Sequence, residues 1–254
     1  MQYAGNLSKE EAIFLSKIED SIRICEKNNI PKFSGFLDLR QQKLASYQAN
    51  SMSVTNYMLF GGFEDSERKM FGVFPDYIVD YKNAFPIDVI KIEHSRKILH
   101  RDILGTLMSI GVKREKIGDI LVNENCSFVF AVTNMTEHIL NNISKIANVG
   151  VKLSLCDYSD VIIPENRFIE GTFIVSSLRL DCVVASLSNL SRADSAGLIQ
   201  AEKVSVNGEI VKSVSKSISQ KDVVSIRSFG KFIIGETEHV TKKGRLVLSY
   251  KKYN

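Results

Sequence analysis

The chain reads as an α+β protein of three modules, and three observations predict it. Over 254 residues an apolar fraction of 44% suits an ordinary globular protein, long enough for two or three small modules. From Phe85 to Leu155, runs of strand period and stripes of helical period interleave in regular order. Near Pro164 to Thr172 that order breaks, and a different pattern of two short helices and a hairpin follows. The predicted modules are residues 1–83, 84–168 and 169–254.

In the first module, Ser8 and Glu11 stand at capping-box spacing. Phe14, Ile18, Ile22 and Cys25 follow near helical period, so a helix is predicted, ended by Pro31. A second helix is expected from Asp38 through Leu44 and Tyr47, then a short strand at Tyr57 to Phe60, stopped by Gly61 and Gly62. The result is a small mixed module.

In the second module, Ile87 to Ile92 alternate as a strand, Arg101 to Ile110 carry a helical stripe closed by Gly111, and Ile117 to Val122 resume strand character. Phe128 to Val132 make another strand across the turn Asn123 to Ser127, Glu137 to Ile146 another helix, and Val151 to Leu155 a last strand. The order βαββαβ predicts a ferredoxin-like, RRM-like antiparallel sheet with both helices on one face. Many unrelated proteins use that arrangement, so it decides little about function.

In the third module, Leu180, Val183, Val184 and Leu187 form one apolar stripe, and Ser191 caps a second helix holding Leu198 and Ile199. Val204 and Val206 alternate into Asn207-Gly208, a dipeptide suited to a tight hairpin, with Ile210 and Val211 returning. Val223, Val224 and Ile226 supply another strand.

Charge separates this end from the rest. The net charge is +4, but from Glu170 onward thirteen Lys and Arg stand against eight Asp and Glu, a net of +5, leaving −1 for everything before. Such asymmetry points to a polyanion partner for one end. No apolar run reaches the roughly 18 to 20 residues of a membrane span, and Met1 to Glu10 lack a secretory signal, so a cytoplasmic protein without a membrane partner is expected. Cys25, Cys126, Cys156 and Cys182 are far apart, with no CxxC pair and no histidine at ligand spacing, so they are expected to be reduced, mostly buried thiols; neither metal nor cofactor is expected.

Arg179-Leu180-Asp181, Ser191-Arg192, Leu198-Ile199, Val204-Ser205-Val206-Asn207-Gly208 and Asp222-Val223-Val224, in that order over about fifty residues, resemble the S-four (αL) RNA-binding domain, named after the fourth protein of the small ribosomal subunit. That resemblance implies a corner of two helices presenting Arg179 and Arg192 near helix N-termini, where backbone N–H groups also favour phosphate, with Lys203 and Lys212 adding charge. Taken alone, Arg179 could equally form a surface ion pair with Asp181 or another acid. Three positions depart from the family: Glu202 where glycine is usual at the helix-to-strand corner, Ser205 where a basic residue is usual, and Ser195 where alanine is usual. Lys203 is therefore expected to carry that edge.

Phe36-Leu37-Asp38, Gly61-Gly62-Phe63-Glu64 with Glu67-Arg68-Lys69, His100 to Gly105, Gly111 to Ile120, Ser176 to Asp181 and the tail Thr241-Lys242-Lys243-Gly244-Arg245 extend the resemblance over nearly the full length, to the YlmH family of bacterial RNA-binding proteins. It implies a cytoplasmic protein that binds ribosomal RNA of the large subunit, on stalled subunits carrying peptidyl-tRNA, in ribosome-associated quality control. The expected RNA-binding residues are Arg179, Ser191, Arg192, Lys203, Lys212, Arg227, Lys231, Lys242, Lys243 and Arg245, on a monomer. Beside the tail, Tyr250 and Tyr253 offer packing or stacking on unpaired bases, packing being favoured. A second RNA patch is expected from Arg101, Lys113, Arg114 and Lys116, with a merely solvated turn as the alternative.

Catalysis finds little support. His100-Arg101-Asp102 resembles the kinase catalytic triplet, but Leu107 stands where that motif needs asparagine, and no glycine-rich loop precedes it. Asp102 is expected to begin or cap its helix, and Asp119 to be a turn residue before a strand. Two alternatives stay open: an RNA-modifying enzyme with its site in the middle module around Asp102 and Asp119, and a protein-interaction scaffold using the N-terminal module.

Overall fold

The computed structural model describes residues 7–164 and 168–253. The chain divides into two units, Met1–Pro164 and Glu165–Asn254.

The first unit begins with helix α1 (Lys9–Asn28), whose capping box is formed: Ser8 Oγ accepts from Glu11 N–H, and Glu11 accepts in return from Ser8 N–H. Its buried stripe is Ile18, Ile22 and Cys25, and it stops before Pro31 because Asn29 turns left-handed at φ 54°. Helix α2 (Leu39–Ser51) is capped by Asp38, with Gln41 closing a second box. Strands β1 (Lys32–Leu37), β2 (Tyr57–Phe60) and β3 (Lys69–Val73) make an antiparallel sheet ordered β1-β3-β2. Only β2 is expected from periodicity. A register shift between Phe33 and Phe36 spoils the alternation of β1, and four consecutive residues of β3 are buried, so neither strand shows a two-sided pattern.

After the single turn α3 (Tyr81–Ala84) come β4 (Ile87–His94), α4 (His100–Ser109), β5 (Ile117–Val122), β6 (Cys126–Val132), α5 (Thr136–Asn142), β7 (Lys145–Ile146) and β8 (Val149–Cys156). Their sheet is antiparallel and ordered β5-β6-β4-β8-β7, the ferredoxin-like arrangement with one extra edge strand. The helix expected to reach Ile146 ends at Asn142 instead: Asn141 and Asn142 are weak helix formers, and Lys145–Ile146 pair with Val149 and Gly150.

Apolar side chains are packed on both faces of the β5-β6-β4 part of this sheet. Ile90, Ile92, Val129 and Ala131 pack on one face against Ile103 and Leu107 of α4 and Ile139 of α5. Their neighbours of opposite parity, Val89, Leu121, Phe128 and Phe130, pack on the other against Phe36, Met70, Phe74 and Phe85. The N-terminal segment and the ferredoxin-like sheet therefore close around one apolar layer.

The second unit contains β9 (Phe168–Val175), α6 (Leu180–Ser188), α7 (Arg192–Gln200), β10 (Val204–Val206), β11 (Glu209–Ile210), β12 (Val223–Ile226), β13 (Gly230–Val240) and β14 (Leu246–Tyr253). They form one antiparallel sheet, β11-β10-β12-β13-β14-β9, over which Leu180, Val183, Val184 and Ile199 of the two helices pack. Asn207 and Gly208 take the paired positive φ values, 55° and 82°, that a tight hairpin requires. Periodicity misses β9, β13 and β14. Of the break expected at Pro164 to Thr172, Phe168 to Thr172 already belong to β9, and the expected tail is a strand whose Tyr250 packs into the core near Phe173 and Phe232.

Candidate nucleic-acid interface

The two expected arginines converge on one carboxylate. Arg179 precedes α6, Arg192 is the first residue of α7, and Asp181 lies in the first turn of α6. Arg179 donates from Nε and Nη2 to Asp181 Oδ1 and Oδ2 at 3.1 and 3.3 Å, and Arg192 Nη2 donates to Oδ2 at 2.7 Å. The Asp181 side chain is only 8% exposed, against 43% and 61% for the two arginines. Burial works against its charge, but hydrogen bonds from Arg179 and Arg192 and their charges outweigh that and hold its carboxyl down at about 2. The arginines are thus tethered, yet they stay at the surface. Ser195, fully buried, ties the helices together: its hydroxyl lies 2.9 Å from both the Asp181 and the Arg192 carbonyl. That explains a hydroxyl where the family favours alanine.

Backbone phosphate binding at the start of α6 is not available as expected. Leu180 N–H donates to Lys216 O and Asp181 N–H to Val214 O. Ser191 likewise serves the helix: its Oγ accepts from Asp194 N–H as the cap of α7.

At the far end of α7 the chain turns through Glu202, whose φ of 60° is left-handed, which is why glycine is usual there. Its carboxylate pairs with Lys212 Nζ at 2.8 Å, so Lys212 is occupied by the residue that departs from the family pattern. Lys203 is exposed and shares a shallow cleft of about 520 Å³ with Arg227, Ser228 and Phe229, while Arg227 N–H donates to Lys203 O. Ser205 faces away from the core between buried Val204 and Val206.

The tail cations sit at a hairpin tip between β13 and β14. Thr241 N–H donates to Arg245 O, Gly244 N–H to Thr241 O, and Gly244 takes φ 73°. The turn leaves Lys242, Lys243 and Arg245 exposed, and none of the three pairs with an acid among the described residues. Lys231 is elsewhere on β13, with its ammonium 5.0 Å from the Tyr253 ring centroid. The structure thus places seven of the ten expected residues in an arginine pair, a Lys203–Arg227 cleft and a cationic tip, and leaves Ser191, Lys212 and Lys231 outside them.

The second patch is split. Arg101 is exposed, with Asp102 at 3.8 Å, and Lys113 is exposed, but Arg114 turns inward. Its Nη1 donates to Ile117 O at 2.7 Å and Gly118 O at 3.2 Å, and burial, then the nearby Arg68, pull its pKa down to about 10. Lys116 is half-buried. Asp119 is not a turn residue before a strand: it lies within β5, buried, and accepts from Glu67 N–H at 2.7 Å and Arg68 N–H at 2.9 Å, stapling the N-terminal segment to the sheet. Asp102 accepts from Leu99 N–H at the start of α4, as a capping residue does. Among the described residues, no three His, Cys, Asp or Glu gather as metal ligands, and no helix is long and apolar enough to cross a membrane. Cys25 and Cys182 are buried, whereas Cys126 and Cys156 are half-buried.

The sequence did not single out Asp181 as more than an ion-pair partner for Arg179. The available signal was its place in the first turn of one helix with an arginine opening the next.

A ferredoxin-like sheet followed by a two-helix corner with surface arginines and a cationic hairpin defines a multidomain RNA-binding protein. Residues 81–160 match the domain family described as "Putative RNA-binding domain in YlmH", and residues 178–224 match the S4 domain. The ribosome-associated protein quality control protein P2 of Bacillus subtilis (strain 168) is 31% identical over 247 residues, covering 96% of each chain. The chain belongs to the YlmH family. A solved structure, the cell division protein ylmH from Streptococcus pneumoniae, matches 62% of this chain and 98% of its own with a TM-score of 0.55 and 24% identity, a likeness of fold alone.

Proposed function

We propose that this chain is a non-catalytic RNA-binding factor of the large ribosomal subunit, acting in the cytoplasm as a monomer on subunits that carry peptidyl-tRNA. The observation that carries the reading is the exposed, net positive arginine pair held at the α6–α7 corner, together with a cationic hairpin tip whose Lys242, Lys243 and Arg245 pair with no acid among the described residues. Guanidinium forks grip phosphate with directional hydrogen bonds, and a rigid corner reads the shape of folded RNA, whose A-form major groove is too narrow for side chains. The relative's name, ribosome-associated protein quality control protein P2, supports the choice of ribosomal RNA as the target. Arg179, Arg192, Lys203, Arg227, Lys242, Lys243 and Arg245 are the contacts we assign; Lys212 and Lys231 are secondary, because each already has a partner. Asp119 gives no footing to the catalytic alternative, since each of its carboxylate oxygens accepts a backbone N–H.

Sucrose-gradient fractionation at physiological salt tests the proposal. The protein should travel with large subunits, and its binding to their RNA should fall with salt at a log–log slope of roughly −3 to −5, for about four to six phosphates. Recovery only in ribosome-free fractions, or a flat salt profile, refutes it.

A further inference from the structure

We infer that Asp181 is a positioning residue for RNA recognition: it holds the Arg179 and Arg192 guanidiniums in one fixed relative geometry before RNA arrives. The inference rests on the reading that this corner binds RNA. A plain stabilising ion pair is the competing account, and the hydrogen-bond inventory argues against it.

A carboxylate offers about four acceptor sites, and those of Asp181 are filled. Oδ1 takes Arg179 Nε and Cys182 N–H, while Oδ2 takes Arg179 Nη2 and Arg192 Nη2. The anchor is itself immobile. Its N–H donates to Val214 O at 3.0 Å, and its carbonyl accepts from Ser195 Oγ at 2.9 Å. The arginines are in the opposite condition. Each guanidinium has five N–H donors, of which Arg179 commits Nε and Nη2 and Arg192 only Nη2 to the anchor, and both side chains remain open to solvent. One saturated anion thus holds two unsaturated cations, leaving a net positive, donor-rich surface.

Arginine side chains lose much rotamer freedom when they grip a phosphate, and restraint in the free protein removes that cost from the binding step. The arrangement also joins two helices: Arg179 precedes α6 and Arg192 opens α7, so Asp181 sets the distance between two phosphate grips. A fixed spacing matters for a folded RNA and little for a flexible polyanion.

This gives a test whose sign separates the accounts. Asp181→Asn raises the net charge by one, so charge alone predicts tighter binding to every RNA. Positioning predicts weaker binding to folded RNA, on the order of three- to tenfold, with binding to poly(U) unchanged or tighter. Full-length protein is titrated with deproteinised large-subunit ribosomal RNA and with poly(U), alongside Asp181→Asn, the Arg179→Ala/Arg192→Ala double variant and that double variant combined with Asp181→Asn. Support requires the selective loss on ribosomal RNA, and no further loss from Asp181→Asn once both arginines are gone. Equal or tighter binding of Asp181→Asn to ribosomal RNA overturns the inference. Wild-type binding by the doubly arginine-deleted protein overturns the reading beneath it and the inference with it. If Asp181→Asn loses its cooperative melt, Asp181→Glu carries the same comparison: it keeps the charge and displaces the anchor, so unchanged ribosomal RNA binding there also overturns the inference.

Discussion

Replacing Glu202 with glycine should tighten RNA binding and leave stability unchanged or slightly raised. A left-handed non-glycine residue costs roughly 1–2 kcal/mol, and Glu202 sits at φ 60°. Against that relief, glycine adds about 0.4–1 kcal/mol of unfolded-state entropy. The lost Lys212 pair joins side chains 72% and 50% exposed, so solvent already screens it and its loss costs little. The sum of relief and entropy lies between about zero and +1.6 kcal/mol, and each kcal/mol moves the melting point by about 4–8 °C for a unit of this size. Binding gains more clearly, because an anion beside Lys203 disappears and the Lys212 ammonium is released. One added phosphate contact steepens the salt slope by about 0.7–0.9, so the gain measured at 50 mM salt should shrink about threefold by 200 mM. Fluorescence anisotropy with large-subunit ribosomal RNA across that range measures both quantities. Glu202→Gln removes the charge and keeps the strained corner, so it should reproduce the binding gain without the stability gain. If both variants bind as the wild type does, with an unchanged slope, Glu202 lies outside the RNA's field and the reasoning fails.

Three further outcomes are expected. Asp181 has a folded-state pKa of about 2 against an ordinary 3.8, so its stabilisation is fully present above about pH 4 and is lost as pH falls toward 2. Because the guanidiniums are solvated, the loss should be on the order of 1 kcal/mol, read as a shallower acid transition in Asp181→Asn followed by circular dichroism. Replacing Lys242, Lys243 and Arg245 together with glutamine should flatten the salt slope by about two to three units with no change in melting, since the turn is held by backbone bonds and Thr241; an unchanged slope removes the hairpin tip from the interface. Asp119→Ala should destabilise the first unit by on the order of 2–4 kcal/mol, because it strips the acceptor from two backbone N–H groups; ribosomal RNA modified differently in cells carrying this variant would instead restore the catalytic alternative.

Legibility in the sequence followed the range of the interactions. The Ser8–Glu11 box and the Asn207-Gly208 turn are local devices that stand where spacing predicts them, and the second helix starts beside Asp38 as expected. The strands β9 and β14 pair Phe168 with Tyr253 and Val175 with Leu246, contacts more than seventy residues apart that no local period reports. The strand β3 is buried on both sides and offers no alternation. The same limit holds in the site. Lys113-Arg114-Glu115-Lys116 reads as one basic loop, and only the fold shows Arg114 bonding inward to Ile117 and Gly118. Arg179, Asp181 and Arg192 are named by the S-four pattern, but their meeting depends on the corner between α6 and α7.

The phenylalanines of the N-terminal segment, seated on the ferredoxin-like sheet, determine the smallest piece of this chain that can live by itself in water. A fragment trimmed to residues 81–160, the span of the domain match, would strip Phe36, Met70 and Phe74 from Leu121, Phe128 and Phe130. It would present a bare greasy wall, and such fragments self-associate. Anyone isolating this part should begin upstream of α1, where the cap at Ser8 still closes the first helix.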